Sequence, residues 1–385
     1  MDQRAISLVR SHFKAVAAEE GGAGRLSASF YSILFAENPT VRELFPAAMD
    51  VQRDRLVAAI GYVVDHLDTV DDVLPFVTQL GRDHRKYGID ESHYRAVGSA
   101  LLTALGRFEC TEPWTDDTEA AWSDAIALLA GTMIDAADAE AGPATTGATV
   151  IERREVLADL VVVRLRTDAA FDYTPGQYVS VQIPSRPRMW RYLSMATPPN
   201  DENIVEFHVR RVSGGWVSPA IVGRTEVGER WQLSSPIGDL GVPAAGGDDM
   251  LMVGAGTGVA PLRAQILDMA QRRDNPRVHL FVTGVHPSDL YCYDELAQIE
   301  LANPWLTVTP VSERDDDPWW VTEPMLSPQG MRRRITGQAG KIIADYRSWT
   351  GHDIQVSGSP GMVNSTLFRL RAAGIDNRIR HDPLL

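Results

Sequence analysis

Cysteine is almost missing from this chain: Cys110 and Cys292 are the only two among 385 residues. That leaves no material for CxxC zinc sites or an iron–sulfur cluster, and it excludes a disulfide scaffold. Long hydrophobic runs are also absent. No uncharged stretch approaches the ~18 residues of a membrane span, and residues 1–14 are a mixed polar start rather than a signal peptide. A reducing cytoplasm is therefore the expected compartment. Positive charge is in deficit, with 37 Lys and Arg against 51 Asp and Glu, for a net −14. The imbalance is uneven: residues 1–140 carry a net −11 and the remainder only −3, which speaks against nucleic-acid binding by the N-terminal third. What is present is ordinary for a soluble globular protein: 44% hydrophobic and 23% charged residues. At roughly 150 residues per domain, the length predicts two or three domains.

The periodicity changes twice along the chain. Residues 1–140 read as helical, rich in Ala and Leu with apolar residues at three- and four-residue spacing. Val73, Val77, Leu80 and His84 share one helical face, and Gly88 offers a stop soon after. Residues 141–149 have no such period and read as a linker. Residues 150–246 carry strand-like runs at 161–165, 178–183 and 205–212, punctuated by Pro, Gly and Asn, and predict a small antiparallel barrel. Residues 247–385 alternate strand, glycine turn and helix, with apolar strands expected at 250–253, 279–282, 306–311 and 353–356. That predicts an open α/β sheet. The expected multidomain architecture is all-α, then antiparallel β, then α/β.

The clearest chemistry lies in the last segment. Gly254-Ala255-Gly256-Thr257-Gly258-Val259-Ala260-Pro261 follows an apolar strand and precedes a helix expected over 262–271. Glycines let backbone N–H groups approach a pyrophosphate, and a helix N-terminus adds favourable partial charge. Turn glycines also serve purely steric needs. The spacing is Gly-x-Gly-x-Gly-x-x-Pro rather than the Rossmann fingerprint. A second cluster, Ser357-Gly358-Ser359-Pro360, also follows a strand and belongs at the carboxyl edge of the sheet. The barrel segment carries Trp190-Arg191-Tyr192-Leu193-Ser194 and Ser213-Gly214-Gly215-Trp216-Val217-Ser218. An Arg, an aromatic ring and a hydroxyl so close together suit a phosphate and a flat ring, and the glycine pair suits a pyrophosphate.

In this order, the motifs of residues 150–385 resemble the ferredoxin–NADP reductase superfamily of flavin reductases. The helical third is similar to the globin part of flavohaemoglobins: Phe30-Tyr31 with Phe35, Asn38-Pro39, Leu44-Phe45-Pro46, Gln52-Arg53 with Leu56, His84 with Gly88-Ile89, and Tyr94 with Val97-Gly98 fall in that order and spacing. The resemblance implies haem b with iron bound by His84, Phe45 packed on the porphyrin, and Tyr31, Gln52 and Leu56 on the distal side. Tyr94 belongs to the proximal relay. It further implies FAD on Tyr178, Arg191, Tyr192, Leu193, Ser194, Gly214, Gly215, Val217 and Ser218. NADH would lie on Gly254, Gly256, Thr257, Gly258, Val259, Ala260, Pro261, Ser357, Gly358, Ser359 and Pro360. NADPH is the alternative coenzyme: His286 is the first basic residue after the second strand, and Asp289 would repel a 2′-phosphate. The implied activity is a nitric oxide dioxygenase in which NAD(P)H, through FAD, keeps haem ferrous so that O₂ converts nitric oxide to nitrate. The expected partners are those two gases, with no nucleic acid and no membrane, and the expected assembly is a monomer or weak homodimer.

The chain departs from the family pattern in ways that suggest an actinobacterial-like branch. Ala137 stands where a proximal Glu is usual, with Asp138 and Asp135 as substitutes, and Asp83 replaces a Lys. Leu193 replaces the flavin-site Tyr, Ser357 replaces a Cys, and an aromatic C-terminal tail gives way to residues 378–385. A weaker proximal push keeps open a haem and flavin reductase acting on peroxide, quinone or another small acceptor; a non-catalytic O₂ or nitric oxide sensor is a third reading.

Overall fold

A computed structural model describes residues 1–242, 247–346, 348–375 and 379–382. The chain forms two compact units, essentially residues 1–145 and residues 146–384.

The first unit is helical: α1 (Gln3–Ala18), α2 (Gly22–Glu37), α3 (Asp50–Asp65), α4 (Val70–His84), α5 (Glu91–Gly106) and α6 (Asp116–Asp138). Local chemistry sets several of their boundaries. Asp2 caps α1 by accepting from the Ala5 N–H, and Asp90 and His93 form a reciprocal capping box at the start of α5. Thr115 caps α6, whose first turn holds Asp116, Asp117 and Glu119, acids favoured at the positive end of a helix. Val9, Leu34, Ala100 and Leu105 are wholly buried between these helices. The crossing of α4 and α6 is especially close. A Cβ on Gly81 would lie 2.4 Å from the Met133 carbonyl oxygen, which is backbone and cannot swing aside. Gly81→Ala is therefore expected to push α4 off α6 and destabilise the unit by about 1–3 kcal/mol. Denaturant unfolding of the variant checks this, and an unchanged midpoint would contradict the close crossing.

The second unit begins with an antiparallel barrel: β1 (Thr145–Leu157), β2 (Leu160–Thr167), β3 (Tyr178–Gln182), β4 (Arg191–Ser194), β5 (Ile204–Arg210), the short α7 (Ser218–Arg224) and β6 (Arg230–Ser234). The strand order is β4-β3-β6-β1-β2-β5, and a bridge between Met195 and Phe207 draws the two edges together. Strand β1 already starts inside residues 141–149, expected as linker; alternate burial at Ala148 and Val150 recruits that stretch into the sheet. The expected end of the barrel, residues 243–246, lies outside the described residues.

The α/β part follows: β7 (Met250–Ala255), α8 (Val259–Met269), β8 (Val278–Gly284), α9 (Tyr293–Ala302), β9 (Leu306–Ser312), α10 (Pro328–Arg333), β10 (Ile335–Thr336), α11 (Ala339–Tyr346), β11 (Asp353–Ser357), α12 (Pro360–Ala372) and β12 (Ile379–Arg380). All strands run parallel in the order β10-β9-β8-β7-β11-β12. Both faces are covered, as a parallel sheet requires. Met250 and Met252 pack on one side with Leu262, Ile266 and Leu296, while Leu251 and Val253 pack on the other with Ile343, Leu367 and Leu370. Helix α8 begins at Val259, three residues earlier than expected, so Val259, Ala260 and Pro261 form its first turn.

Candidate functional site

In the helical unit, α4 delivers His84 at its last position. The His84 Nδ1 lies 2.7 Å from the Leu80 carbonyl oxygen. A carbonyl only accepts, so Nδ1 carries the proton and Nε2 keeps its lone pair. Burial lowers the pKa of this imidazole, opposed by the nearby Asp83 charge. A neutral ring with Nδ1 engaged and Nε2 free is the state an iron ligand requires. The neighbouring Asp83 is not a bare acid. Both its oxygens accept from Lys86 Nζ at 2.6 Å, and both side chains are buried, so the pair adds no net charge beside His84. Tyr94, on α5, is half-buried. Its phenol is pushed up by burial and then by the charge of Asp138. Of the two acids weighed against the missing Glu, Asp138 is thus the one that bears on Tyr94. Among the described residues Tyr94 makes no hydrogen bond to Asp135 or Asp138, both of which are exposed.

Across α2 and α3 a second group assembles. Tyr31 is buried, with ring centroids of Phe30, Phe45 and Phe35 at 4.7, 5.6 and 5.7 Å. Its hydroxyl faces the Gln52 carbonyl oxygen at a long 3.5 Å. Burial pushes the phenol up to about 12, so it remains a hydrogen-bond donor at neutral pH. Gln52 and Leu56 lie one turn apart on α3, both half-buried, and Leu56 joins the same apolar cluster. The sequence-selected Tyr31, Phe45 and Gln52 therefore meet in space.

The barrel divides its selected residues between two faces. Tyr178 pairs with Ser194 and Ser180 with Tyr192, while Val179 pairs with Leu193 and Val181 with Arg191. Strand alternation therefore puts Tyr178, Tyr192 and Ser194 on one face, and Arg191 and Leu193 on the other. The Tyr178 and Tyr192 rings meet edge-on at 5.1 Å. In the glycine turn, Gly214 takes a left-handed φ of 74°. Ser218 accepts from the Val212 N–H at 3.1 Å, and Val217 is buried at the N-cap of α7. The sequence reading missed Asp382. Its Oδ1 is shut from solvent with no partner among the described residues, close to Gly238, whose missing side chain admits the Tyr178 ring. Burial, together with the Asp239 charge, pushes the Asp382 carboxyl up to about 7.

The two glycine clusters of the α/β part touch. A Cβ on Gly258 would lie 2.4 Å from the Ser357 carbonyl oxygen and 2.6 Å from the Gly358 backbone. Gly256 adopts φ 53° in the tight turn that joins β7 to α8. Strands β7 and β11 are neighbours, and the chain leaves their carboxyl ends in opposite directions across the sheet, the place where open α/β folds hold ligands. Ser359 is a helix cap, accepting from Met362 N–H, with Pro360 in the first turn of α12. Two hydroxyls the sequence reading overlooked, Thr283 Oγ1 and Ser288 Oγ, are buried at or just beyond the carboxyl end of β8 without partners among the described residues. Asp289 is a correction. Its Oδ2 accepts from the Val285 and His286 N–H groups at 2.9 Å, and Oδ1 pairs with Arg210. A buried, paired carboxylate does not repel a 2′-phosphate, so the argument for NADH over NADPH falls away. Arg314 stands exposed beside the same turn, its N–H on the Val285 carbonyl at 2.8 Å.

Comparison with known proteins matches this division. Residues 28–133 fit the globin model, 147–241 the oxidoreductase FAD-binding domain and 252–367 the oxidoreductase NAD-binding domain. The chain is a globin joined to an NAD(P)H-dependent flavin oxidoreductase, and haem, FAD and NAD(P)H are the cofactors of those domains. The flavohemoprotein of Bordetella parapertussis is 30% identical over 287 residues, covering 68% of this chain and 71% of that one. This chain belongs to the flavohemoprotein family. The phenol hydroxylase P5 protein of Acinetobacter pittii is 25% identical over 238 residues, 61% of this chain; the match spans 64% of that protein's length. The flavohemoglobin of Malassezia yamatoensis, solved with FAD and heme, shares the fold at TM-score 0.77 and 15% identity, over 99% of this chain and 98% of that one. No helix among the described residues is long and apolar enough to cross a membrane.

Proposed function

We propose that the chain is a nitric oxide dioxygenase, taking electrons from NAD(P)H to convert nitric oxide and O₂ to nitrate. The observation that carries this reading is Tyr31: a buried phenol ringed by Phe30, Phe35 and Phe45, with its hydroxyl toward Gln52, in a chain that also matches flavin- and nicotinamide-binding oxidoreductase domains. When bound, FAD would supply the conversion of a two-electron hydride into single electrons, and haem would supply the iron at which O₂ meets nitric oxide. His84 would hold the iron through Nε2, with the Leu80 carbonyl fixing the ring through Nδ1. Tyr31 donates into the dry distal pocket, where a hydrogen bond to developing negative charge is worth more than in water. Leu56 and Phe45 exclude water.

On the reductase side, Tyr178, Tyr192 and Ser194 offer one face to the flavin, and the Gly254–Gly258 turn and Ser357-Gly358 receive the dinucleotide. Tyr31→Phe tests the reading directly. The expected variant keeps haem and NADH-driven flavin reduction but loses nitric oxide-dependent NADH oxidation by about 10-fold or more. A variant as active as the parent would remove Tyr31 from the chemistry.

Asp382 makes the electron supply pH-dependent. With its carboxyl near 7, it is a neutral acid below that pH and an anion above it. An anion beside the flavin opposes the negative charge that reduction adds, so the limiting rate of flavin reduction is expected to fall as pH rises through about 7. Asp382→Asn should flatten that profile. An identical profile in the variant would assign the titration to another group.

A second reading, reduction of peroxide, quinone or another small acceptor, is favoured by the Tyr94 hydroxyl, which among the described residues makes no hydrogen bond to Asp135 or Asp138. A relay lacking that hydrogen bond leaves His84 less basic and weakens O₂ activation.

A further inference from the structure

Strand β5 is buried on both faces, yet it carries three polar side chains in alternation: Glu206, His208 and Arg210. They open a network that runs from the barrel into the α/β part. The Glu206 Oε1 accepts from His208 Nε2 at 3.0 Å and from Arg263 Nη1 at 3.2 Å. Because the carboxylate accepts from Nε2–H, the neutral His208 has Nδ1 as an acceptor, and the Tyr291 hydroxyl donates to it at 2.8 Å. Arg263 is the hub. It lies one turn into α8, directly behind the Gly254–Gly258 turn, and is 9% exposed. Its Nη1 also donates to the Ala196 carbonyl at 2.6 Å, while Nε and Nη2 bind the Glu295 carboxylate at 2.9 and 2.6 Å. Ala196 lies two residues beyond Ser194 and is itself tied to β5, its N–H donating to the Glu206 carbonyl at 2.8 Å.

One guanidinium therefore spans the strand that ends in the flavin-facing Ser194 and the helix that opens at the dinucleotide turn. Neither site involves Arg263 itself. Buried ionic networks contribute little net stability against apolar replacements of similar size, and their best-attested use is to fix register. Hydride transfer is acutely sensitive to register, because a displacement of about 1 Å between donor and acceptor can cost on the order of 100-fold in rate.

We propose that Arg263 is a positioning residue for hydride transfer, holding the glycine turn of β7–α8 at a fixed distance from strand β4 through Ala196, Glu206 and Glu295. The inference rests on the assignment of flavin to the barrel and nicotinamide to the turn. Arg263→Met leaves Glu206 with His208 and the nearby Arg164, and Glu295 is half-exposed and can hydrate. The fold and the flavin content should thus survive.

The test is anaerobic rapid mixing of the full-length, FAD-loaded chain with NADH and with NADPH. It resolves coenzyme affinity, limiting rate and the long-wavelength charge-transfer absorbance of stacked nicotinamide and flavin, with thermal melting alongside. Arg263→Met is expected to lose about 10- to 100-fold in limiting rate and most of the charge-transfer band, with coenzyme affinity within about twofold and FAD content unchanged. Arg263→Lys, which keeps the charge but not the fork, should restore part of both. A normal rate and band in Arg263→Met overturns the inference alone, as does a loss that tracks FAD release or a lower melting temperature. A parent chain whose flavin neither coenzyme reduces overturns the underlying assignment, and this inference with it.

Discussion

His84→Ala should yield a folded chain without haem: the Soret band disappears, and haem content falls to less than about a tenth of the parent's. The expectation follows from the geometry of one ring. Its Nδ1 proton is committed to Leu80, 2.7 Å away, and burial keeps it neutral, so Nε2 is the only atom left to bind iron. The loss should be confined to the helical unit. FAD content and NAD(P)H-driven reduction of an artificial electron acceptor should persist, because residues 146–384 form their own compact unit. Added imidazole should restore part of the Soret absorbance by supplying the missing ligand. Undiminished haem binding by His84→Ala would mean that another residue holds the iron.

Gly258→Ala should be nearly as damaging at the other end of the chain, with one methyl group as the whole change. The added Cβ would meet the Ser357 carbonyl oxygen at 2.4 Å and the Gly358 backbone at 2.6 Å. Relief requires the two turns to part, and those turns are the proposed cradle of the dinucleotide. The expected result is a loss of flavin reduction by NAD(P)H of about 100-fold, with haem and FAD retained. Gly256→Ala provides the contrast. Among the described residues, apart from its chain neighbours, nothing lies within 4 Å of its Cβ position, and its left-handed φ of 53° costs about 1–2 kcal/mol. Its effect should be the smaller. Stopped-flow flavin absorbance separates the two, and equal, mild defects would contradict the close approach.

These residues differ in how much of their role the sequence could carry. Val73, Val77 and Leu80 on one helical face made the place of His84 on a helix legible, but its proposed ligand role came only from the resemblance of its neighbourhood, with Gly88-Ile89 and Tyr94, to the globin pattern. The turn at 254–261 was legible as strand, glycines and helix, all within one local stretch. Its deeper reason was not, since Gly258 is small because Ser357-Gly358, about a hundred residues later, rests against it. Asp289 misled for the same reason. By sequence it is an acid in a loop, and only the fold brings Arg210 of β5 and two N–H groups to it. Lys86 was within reach, because Asp83 and Lys86 stand three apart on adjoining helical turns. The network around Arg263 left a fainter trace: Glu206, His208 and Arg210 alternate with Phe207 and Val209, a pattern that ordinarily marks a solvent face. Here the polar face meets Arg263 of α8 and the segment carrying Asp289 and Tyr291 ahead of α9 instead, which no local period reveals. Arg191 and Leu193 were grouped with Tyr192 and Ser194 by proximity, and the register of β3 with β4 separates them.

The fate of nitric oxide separates a dioxygenase from a reductase for another acceptor. The decisive measurement follows NADH consumption and nitrate formation together, under air, by purified chain replete in haem and FAD, with nitric oxide added in pulses. The expected result is a burst of NADH oxidation with each pulse and nitrate matching the nitric oxide consumed. Nitric oxide that disappears no faster than in buffer, while NADH still reduces the flavin, would contradict the dioxygenase and leave a reductase for another small acceptor.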